Sequence, residues 1–297
     1  MHNDVRTDAK AMRRRHTSGA NTLLGYPTDA RLLIINADDF GMCHAINAAI
    51  LRSVREGIVC STTLMVPCAW ALHAMHLLTE SPDIPFGIHL TVTCDPAHYR
   101  WGPLTCHERV PSLIDETGYF YSFDRIPAFL AQIKIEELEV EFRAQIEAVL
   151  AANLAPTHLD WHALRGGGGT AIVDLMLRLS RDYGLALRVA GETWIDQLQR
   201  QGLPTTDYDF LDSFSLDPVD KSAHYGHLLH NLPAGLSEWA VHPGINDAEL
   251  HAIGSLGPEV RQTDYDFLIS VEARTMIQRE GITLLSYEPL QRAWRDR

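Results

Sequence analysis

The chain has no CxxC pair, no apolar run approaching 18 residues, no basic stripe and no glycine-rich loop ending in Lys-Ser/Thr. Each absence removes a class of protein. Five cysteines, at positions 43, 60, 68, 94 and 106, are odd in number and scattered, which suits reduced thiols in a cytoplasm and excludes a disulfide framework or a zinc knuckle. Without a long apolar run, no transmembrane helix is expected. Positive charge is scarce: 25 Lys+Arg face 38 Asp+Glu, for a net charge of −13, which argues against nucleic-acid and membrane partners. The one basic cluster, Arg13-Arg14-Arg15, lies in a polar stretch with no apolar core, so it is not read as a secretory signal. The missing Lys-Ser/Thr argues against nucleotide binding at the Gly166–Gly169 run.

What the chain does have is a 46% hydrophobic composition over 297 residues, enough for a sizeable core in one α/β barrel or two smaller domains. Residues 1–29 read as a polar leader, mobile or loosely packed. Strand patterns follow at 32–37, 59–66, 86–91, 156–161, 186–190, 238–242 and 282–286. Helical patterns lie near 43–56, 69–79, 134–152, 170–183, 220–231 and 264–279. This alternation predicts a parallel sheet with covering helices, as a single-domain irregular (β/α) barrel of about seven strands over residues 30–297. Two connections, 92–133 and 191–219, are long enough to suggest functional loops.

The run Leu32-Leu33-Ile34-Ile35-Asn36-Ala37-Asp38-Asp39-Phe40-Gly41 carries the strongest chemical signal. Successive strand residues point to opposite faces, and two unpaired carboxylates in a packed core are costly. The strand is therefore expected to end at the acids, with Gly41 turning the chain and both carboxylates free to face one site. The plainer reading is a helix N-cap. Three further strand patterns end in polar groups: His89 after Phe86-Gly87-Ile88, the set His158, Asp160 and His162, and His242 before Pro243-Gly244. Barrel active sites gather at the C-terminal ends of the strands. Residues 158, 160 and 162 share a face, yet 158 and 162 start about 13 Å apart, too far to bind one ion. His162, nearest the strand tip, is then the ligand candidate, Asp160 an orienting group and His158 a structural residue.

These motifs resemble those of the YdjC-like carbohydrate deacetylases, the family of chitooligosaccharide deacetylase. The resemblance rests on Asn36-Ala37-Asp38-Asp39-Phe40-Gly41, Gly57-Ile58-Val59-Cys60-Ser61-Thr62-Thr63, Gly87-Ile88-His89-Leu90-Thr91, Thr157-His158-Leu159-Asp160-x-His162 and His242-Pro243-Gly244. It implies an irregular (β/α) barrel and hydrolytic removal of an N-acetyl group from an amino sugar or short oligosaccharide. It also implies one divalent metal held by an aspartate and two histidines, which here would be Asp39, His89 and His162. The resemblance leaves open which of Asp38 and Asp39 is ligand and which is base; Asp39 is taken below as ligand and Asp38 as base. His242 is the candidate acid for the leaving amine. Mixed nitrogen and oxygen ligands admit several ions, with magnesium and zinc foremost.

The sequence departs from the family after His162, where Ala163-Leu164-Arg165 and four glycines replace a histidine-rich run. The lip of the pocket is therefore altered. Arg165, Tyr99 and Trp101 are the candidate substrate contacts. The glycine run could hold an anion at a helix start, or form a flexible turn before a helix capped by Thr170. His73 and His76 read as surface residues. We expect a small-molecule substrate, an N-acetylated sugar, with self-association as a homodimer left open. Two rivals remain: a metal-dependent hydrolase of another amide or ester, and a non-haem iron oxygenase using His158, Asp160 and His242. The second calls for antiparallel strands, which the β/α alternation does not suggest.

Overall fold

Leu32, Leu33, Ile34 and Ile35 are wholly buried at the centre of the molecule. A continuous apolar run of this kind belongs to a parallel strand covered on both faces. The computed structural model describes residues 19–95, 98–164, 168–254 and 257–296. Ten strands occur in it: β1 (Arg31–Phe40), β2 (Ser61–Leu64), β3 (Phe86–Leu90), β4 (Thr93–Cys94), β5 (Tyr121–Ser122), β6 (His158–Trp161), β7 (Ala186–Leu187), β8 (Leu211–Asp212), β9 (Gly235–Val241) and β10 (Ile282–Leu284). Seven form one curled sheet in the order β7-β6-β3-β2-β1-β9-β8, and β10 joins it on β1. Every pairing in that sheet is parallel. The expected α/β barrel-like fold is present, and its parallel strands do not fit the oxygenase reading.

β1 organises the sheet. β9 pairs with it from Arg31 to Ala37 along one edge. On the other edge β10 takes Arg31–Leu33 and β2 takes the stretch from Asn36 to Phe40, end to end. Helices cover the outside, and their sequences show why they form. Thr170–Tyr183 buries Ile172, Val173, Leu175, Met176 and Leu179 on one side. It stops at Gly184, whose left-handed φ of 64° suits a glycine and lets its N–H bond back to the last turn.

The structure corrects several boundaries. β1 does not end before the acids but runs through Phe40, with a register shift between Ala37 and Phe40. The 264–279 pattern is two helices, Pro258–Leu268 and Val271–Arg279, because the Ser270 side chain caps the second by accepting from Ala273 N–H at 3.0 Å. Thr170 is the first helical residue and not the cap; Gly169 stands there with φ 100°. Within the stretch read as a leader, Gly19–Leu24 is helical, and Asn21 Nδ2 donates to the carbonyls of Pro27 and Ala30. The 92–133 connection folds into the small β4-β5 sheet, short 3₁₀ turns and the helix Ile126–Gln132. Among the described residues no helix is long and apolar enough to cross a membrane.

Candidate active site

Asp38 and Asp39 reach the same cavity because the backbone breaks strand alternation between them. Asp39 has φ 74°, the left-handed region, where the register of β1 against β2 shifts. Such a conformation costs a non-glycine residue energy, and it is commonly kept at functional sites. Ala163, next to His162, is also left-handed at φ 58°. Gly87 supplies a different need. A Cβ there would lie 2.5 Å from the His158 ring, which stacks on Tyr287 at 3.6 Å between centroids. This close approach lets β3 and β6 pair so that His89 is the direct partner of Asp160.

The cavity, about 220 Å³, lies at the C-terminal ends of β1, β3, β6 and β9. On one wall Asp39 Oδ1 is 3.5 Å from His89 Nε2 and 3.4 Å from His162 Nδ1. That oxygen is buried and has no hydrogen-bond partner. The far nitrogen of each ring is bound to a carboxylate: His89 Nδ1 to Asp160 at 2.7 Å, and His162 Nε2 to Asp95 at 2.6 Å. Histidines whose other nitrogen is held by a carboxylate are the usual arrangement around a metal. Burial would lower both histidines. Asp160 outweighs it and raises His89. Asp95 and Asp39 together hold His162 up at about 10. The carboxylates thus demand positive charge between them, which a proton or a divalent cation can meet.

A second group, Asp38, His89 and Asp160, could also hold an ion. Its donors are already engaged. Arg188 Nη1 and Nη2 reach Asp38 Oδ2 and Oδ1 at 2.7 and 2.9 Å, and Nη1 is 2.7 Å from Asp160 Oδ2. Asn36 Nδ2 adds a bond to Asp38 Oδ1 at 2.7 Å. Asp39, His89 and His162 therefore fit a cation better.

The opposite wall belongs to arginines. Arg188, following β7, also donates from Nε to Glu238 on β9 at 2.7 Å, so one guanidinium ties three strands together across the interior. Burial would raise the Asp38 carboxyl, but Arg188 outweighs it and holds it well below the ordinary carboxylate range. Arg261, wholly buried in the helix Pro258–Leu268, donates to Asp39 Oδ2 at 2.7 Å. It likewise overcomes burial and depresses Asp39. His242 closes this wall, with Nε2 4.0 Å from Asp38 Oδ2 and Nδ1 2.8 Å from Ser213 Oγ.

Asp38, Asp39, His89, His162 and His242 all line the cavity. Asp160 stands behind His89. His158 lies deeper, where burial and then the charge of Arg188 push its ring well below the usual histidine range. Tyr99 and Trp101 do not line the cavity. Trp101 is buried behind His162, ring centroids 6.0 Å apart, with its Nε1 donating to Thr93 O, and Tyr99 donates to Met42 O. The cavity aromatics are instead Phe123, Trp161, Phe210 and Phe214. Arg165 and Gly166 lie outside the described residues.

Sequence reasoning missed Arg188, Arg261 and Asp95. Arg188 had left a signal, a lone charge within the apolar run 185–190. Arg261 had left a fainter one: it shares with Val260, Asp264, Tyr265 and Leu268 the buried face of its helix. Asp95 sits in a long connection and had left none.

A family model described as YdjC-like protein matches residues 32–279. A carbohydrate deacetylase of Enterococcus faecalis is 32% identical over 268 residues, covering 87% of this chain and 97% of that one. A chitooligosaccharide deacetylase of Yersinia enterocolitica is 29% identical over 264 residues, covering 86% and 98%. A crystal structure of an Enterococcus faecalis protein described as a candidate cellobiose-phosphate cleavage protein superposes with a TM-score of 0.75 at 30% identity, over 88% of this chain and 99% of that one.

Proposed function

This chain belongs to the YdjC-like family, and from that premise we propose that it is a metal-dependent hydrolase that removes the N-acetyl group of an amino sugar or short oligosaccharide. One observation carries the reading. Asp39 Oδ1 is buried without a hydrogen-bond partner between two histidine nitrogens, on the floor of a cavity that also holds Asp38 and His242.

Asp39 Oδ1, His89 Nε2 and His162 Nδ1 would hold one divalent cation, which when bound supplies a Lewis acid for the acyl oxygen and acidifies a water. Asp160 and Asp95 fix the two rings so that these nitrogens face Asp39. Arg261 occupies Asp39 Oδ2, so Asp39 offers one oxygen only. Asp38 Oδ2, aimed into the cavity by Arg188, takes the proton of the attacking water. His242 Nε2, across from it, returns a proton to the leaving nitrogen. The aromatic side chains of Phe123 and Trp161 offer apolar faces to a sugar ring at the mouth.

The test is acetate release from N-acetylglucosamine oligomers by protein of measured metal content. The reading expects release that a chelator abolishes and added metal restores. Full activity after verified metal removal would sink it. Hydrolysis of simple esters or other amides without acetate release from any N-acetyl sugar would favour the second reading, a metal-dependent hydrolase of another substrate in the same cavity.

A further inference from the structure

His242 is backed by a buried polar chain. Its Nδ1 is 2.8 Å from Ser213 Oγ, and Ser213 Oγ is 2.6 Å from Asp264 Oδ2. The backbone N–H of His242 donates to the same Oδ2 at 2.8 Å. Asp264 Oδ1 takes the Tyr225 hydroxyl at 2.8 Å and is ion-paired with Lys221 Nζ. Ser213 and Asp264 are both 0% exposed, so bulk solvent does not supply alternative partners.

Hydrogen counting fixes the direction of this chain. Four donors surround the Asp264 carboxylate, two at each oxygen, so it acts only as an acceptor. Ser213 has one hydrogen, and it must point to Asp264. The Ser213 oxygen must then accept from His242, which requires a hydrogen on Nδ1. Nε2 is left to face the cavity and Asp38.

We propose that Ser213 and Asp264 are positioning residues that hold His242 in its Nδ1–H form, so that Nε2 alone carries the exchanged proton. This rests on the reading of His242 as the acid of the reaction. The imidazolium gives its Nε2 proton to the leaving nitrogen as the bond from that nitrogen to the acyl carbon breaks. The neutral ring that remains keeps its Nδ1–H on Ser213, so it needs neither a flip nor a tautomer change before the next proton arrives. Asp212 Oδ1 lies 3.9 Å from Nδ1, beyond hydrogen-bond reach, so it does not replace Ser213 in this position. The charged groups facing His242 include Asp38 and Asp39 from β1, Asp212 from β8, and Asp264 with Arg261 from the helix Pro258–Leu268. Lys221, from the helix Lys221–His230, acts through Asp264. Arg261 lies over the Phe214 ring that covers His242.

The experiment is ¹⁵N NMR of the imidazole nitrogens in the full-length labelled protein, with His242 assigned by its loss in His242→Gln. The wild type should show neutral His242 protonated at Nδ1. Ser213→Thr keeps the hydroxyl and should keep both the tautomer and most of kcat. Ser213→Ala should lose the fixed tautomer, lower kcat about tenfold and leave metal content unchanged. A neutral wild-type ring protonated at Nε2 overturns the proposal, as does a Ser213→Ala protein with wild-type tautomer and kcat. Full kcat in His242→Gln overturns the acid assignment, and with it the purpose of the relay, whatever tautomer the spectrum gives.

Discussion

The two walls of the cavity handle buried charge in opposite ways. On the wall built by β1, β3 and β6, His89 and His162 are each bound at one nitrogen and leave the other turned toward Asp39 Oδ1. On the arginine wall the carboxylates are satisfied by the protein itself: Asp38 by Arg188 and Asn36, Glu238 by Arg188 and the Tyr287 hydroxyl. The first wall leaves ligand atoms that could hold a cation, and the second brings its own. Adjacent aspartates in one strand thus meet different electrostatics, which gives a physical basis for dividing ligand from base.

The largest effect that would break this contrast is loss of the cation. Asp39→Ala, His89→Ala and His162→Ala should each lower metal content and kcat together, by about 10³-fold or more in kcat, since a Lewis acid contributes several kcal/mol. If His89→Ala and His162→Ala both keep full metal by elemental analysis, the first wall is not the metal site. Next in size, Asp38→Asn should keep the metal and lose about 10²- to 10⁴-fold in kcat, with KM moving less. An Asp38→Asn protein that arrives without metal would reverse the roles of the two acids.

Arg188→Met sharpens the contrast through pH. In the wild type the depressed Asp38 carboxyl contributes stability that is fully present above its unfolded value of 3.8 and is lost as pH falls through its lower folded value. With the guanidinium gone, burial is opposed only by the weaker pull of His89 and His242, so that carboxyl rises. The acidic limb of the rate profile should move up in pH, while metal stays bound. Asp38, Asp160 and Glu238 would lose their shared guanidinium, so urea unfolding should show a loss of about 3–5 kcal/mol. An unchanged acidic limb would mean that Asp38 is not the base. The smallest expected change is at the mouth. Phe123 is half exposed, and Phe123→Ala should raise KM by about two- to tenfold with kcat held. A KM that does not move across sugar substrates would place the ring outside the binding surface.

The first wall was largely legible in the sequence and the second largely was not. Asp39, His89, Asp160 and His162 sit at or beside strand ends, where an apolar run followed by a polar residue is itself the signal, and on the second wall only Asp38 and His242 carry that signal. Arg188 and Arg261 act across distance. Nothing local in Arg188 says that it will meet Asp38, 150 residues away, and Arg261 meets Asp39 over 222. The same limit explains the relay behind His242, where Ser213 and Asp264 come from a connecting segment and a helix face. The parallel sheet followed from β/α alternation, but its strand order and the bulge at Asp38-Asp39 did not. A shift in register depends on what the neighbouring strand offers, and β2 is a short stretch with three hydroxyl residues among its four.

The pairing of β1 also sets a timetable. Its partners come from opposite ends of the synthesis order: β2 follows within about thirty residues, but β9 and β10 lie about 200 and 250 residues downstream. At a translation rate of about 5–20 residues per second, the apolar centre of β1 waits about 10–40 s for its β9 partner. During that interval Leu32–Ile35 present an unpaired strand edge, the kind that seeks other chains. Long-range parallel pairing is slow for the same reason. A nascent or truncated chain ending before residue 241 therefore holds the proposed metal ligands without the complete strand that leads into His242, and it is exposed to aggregation at the segment that later becomes its most protected core.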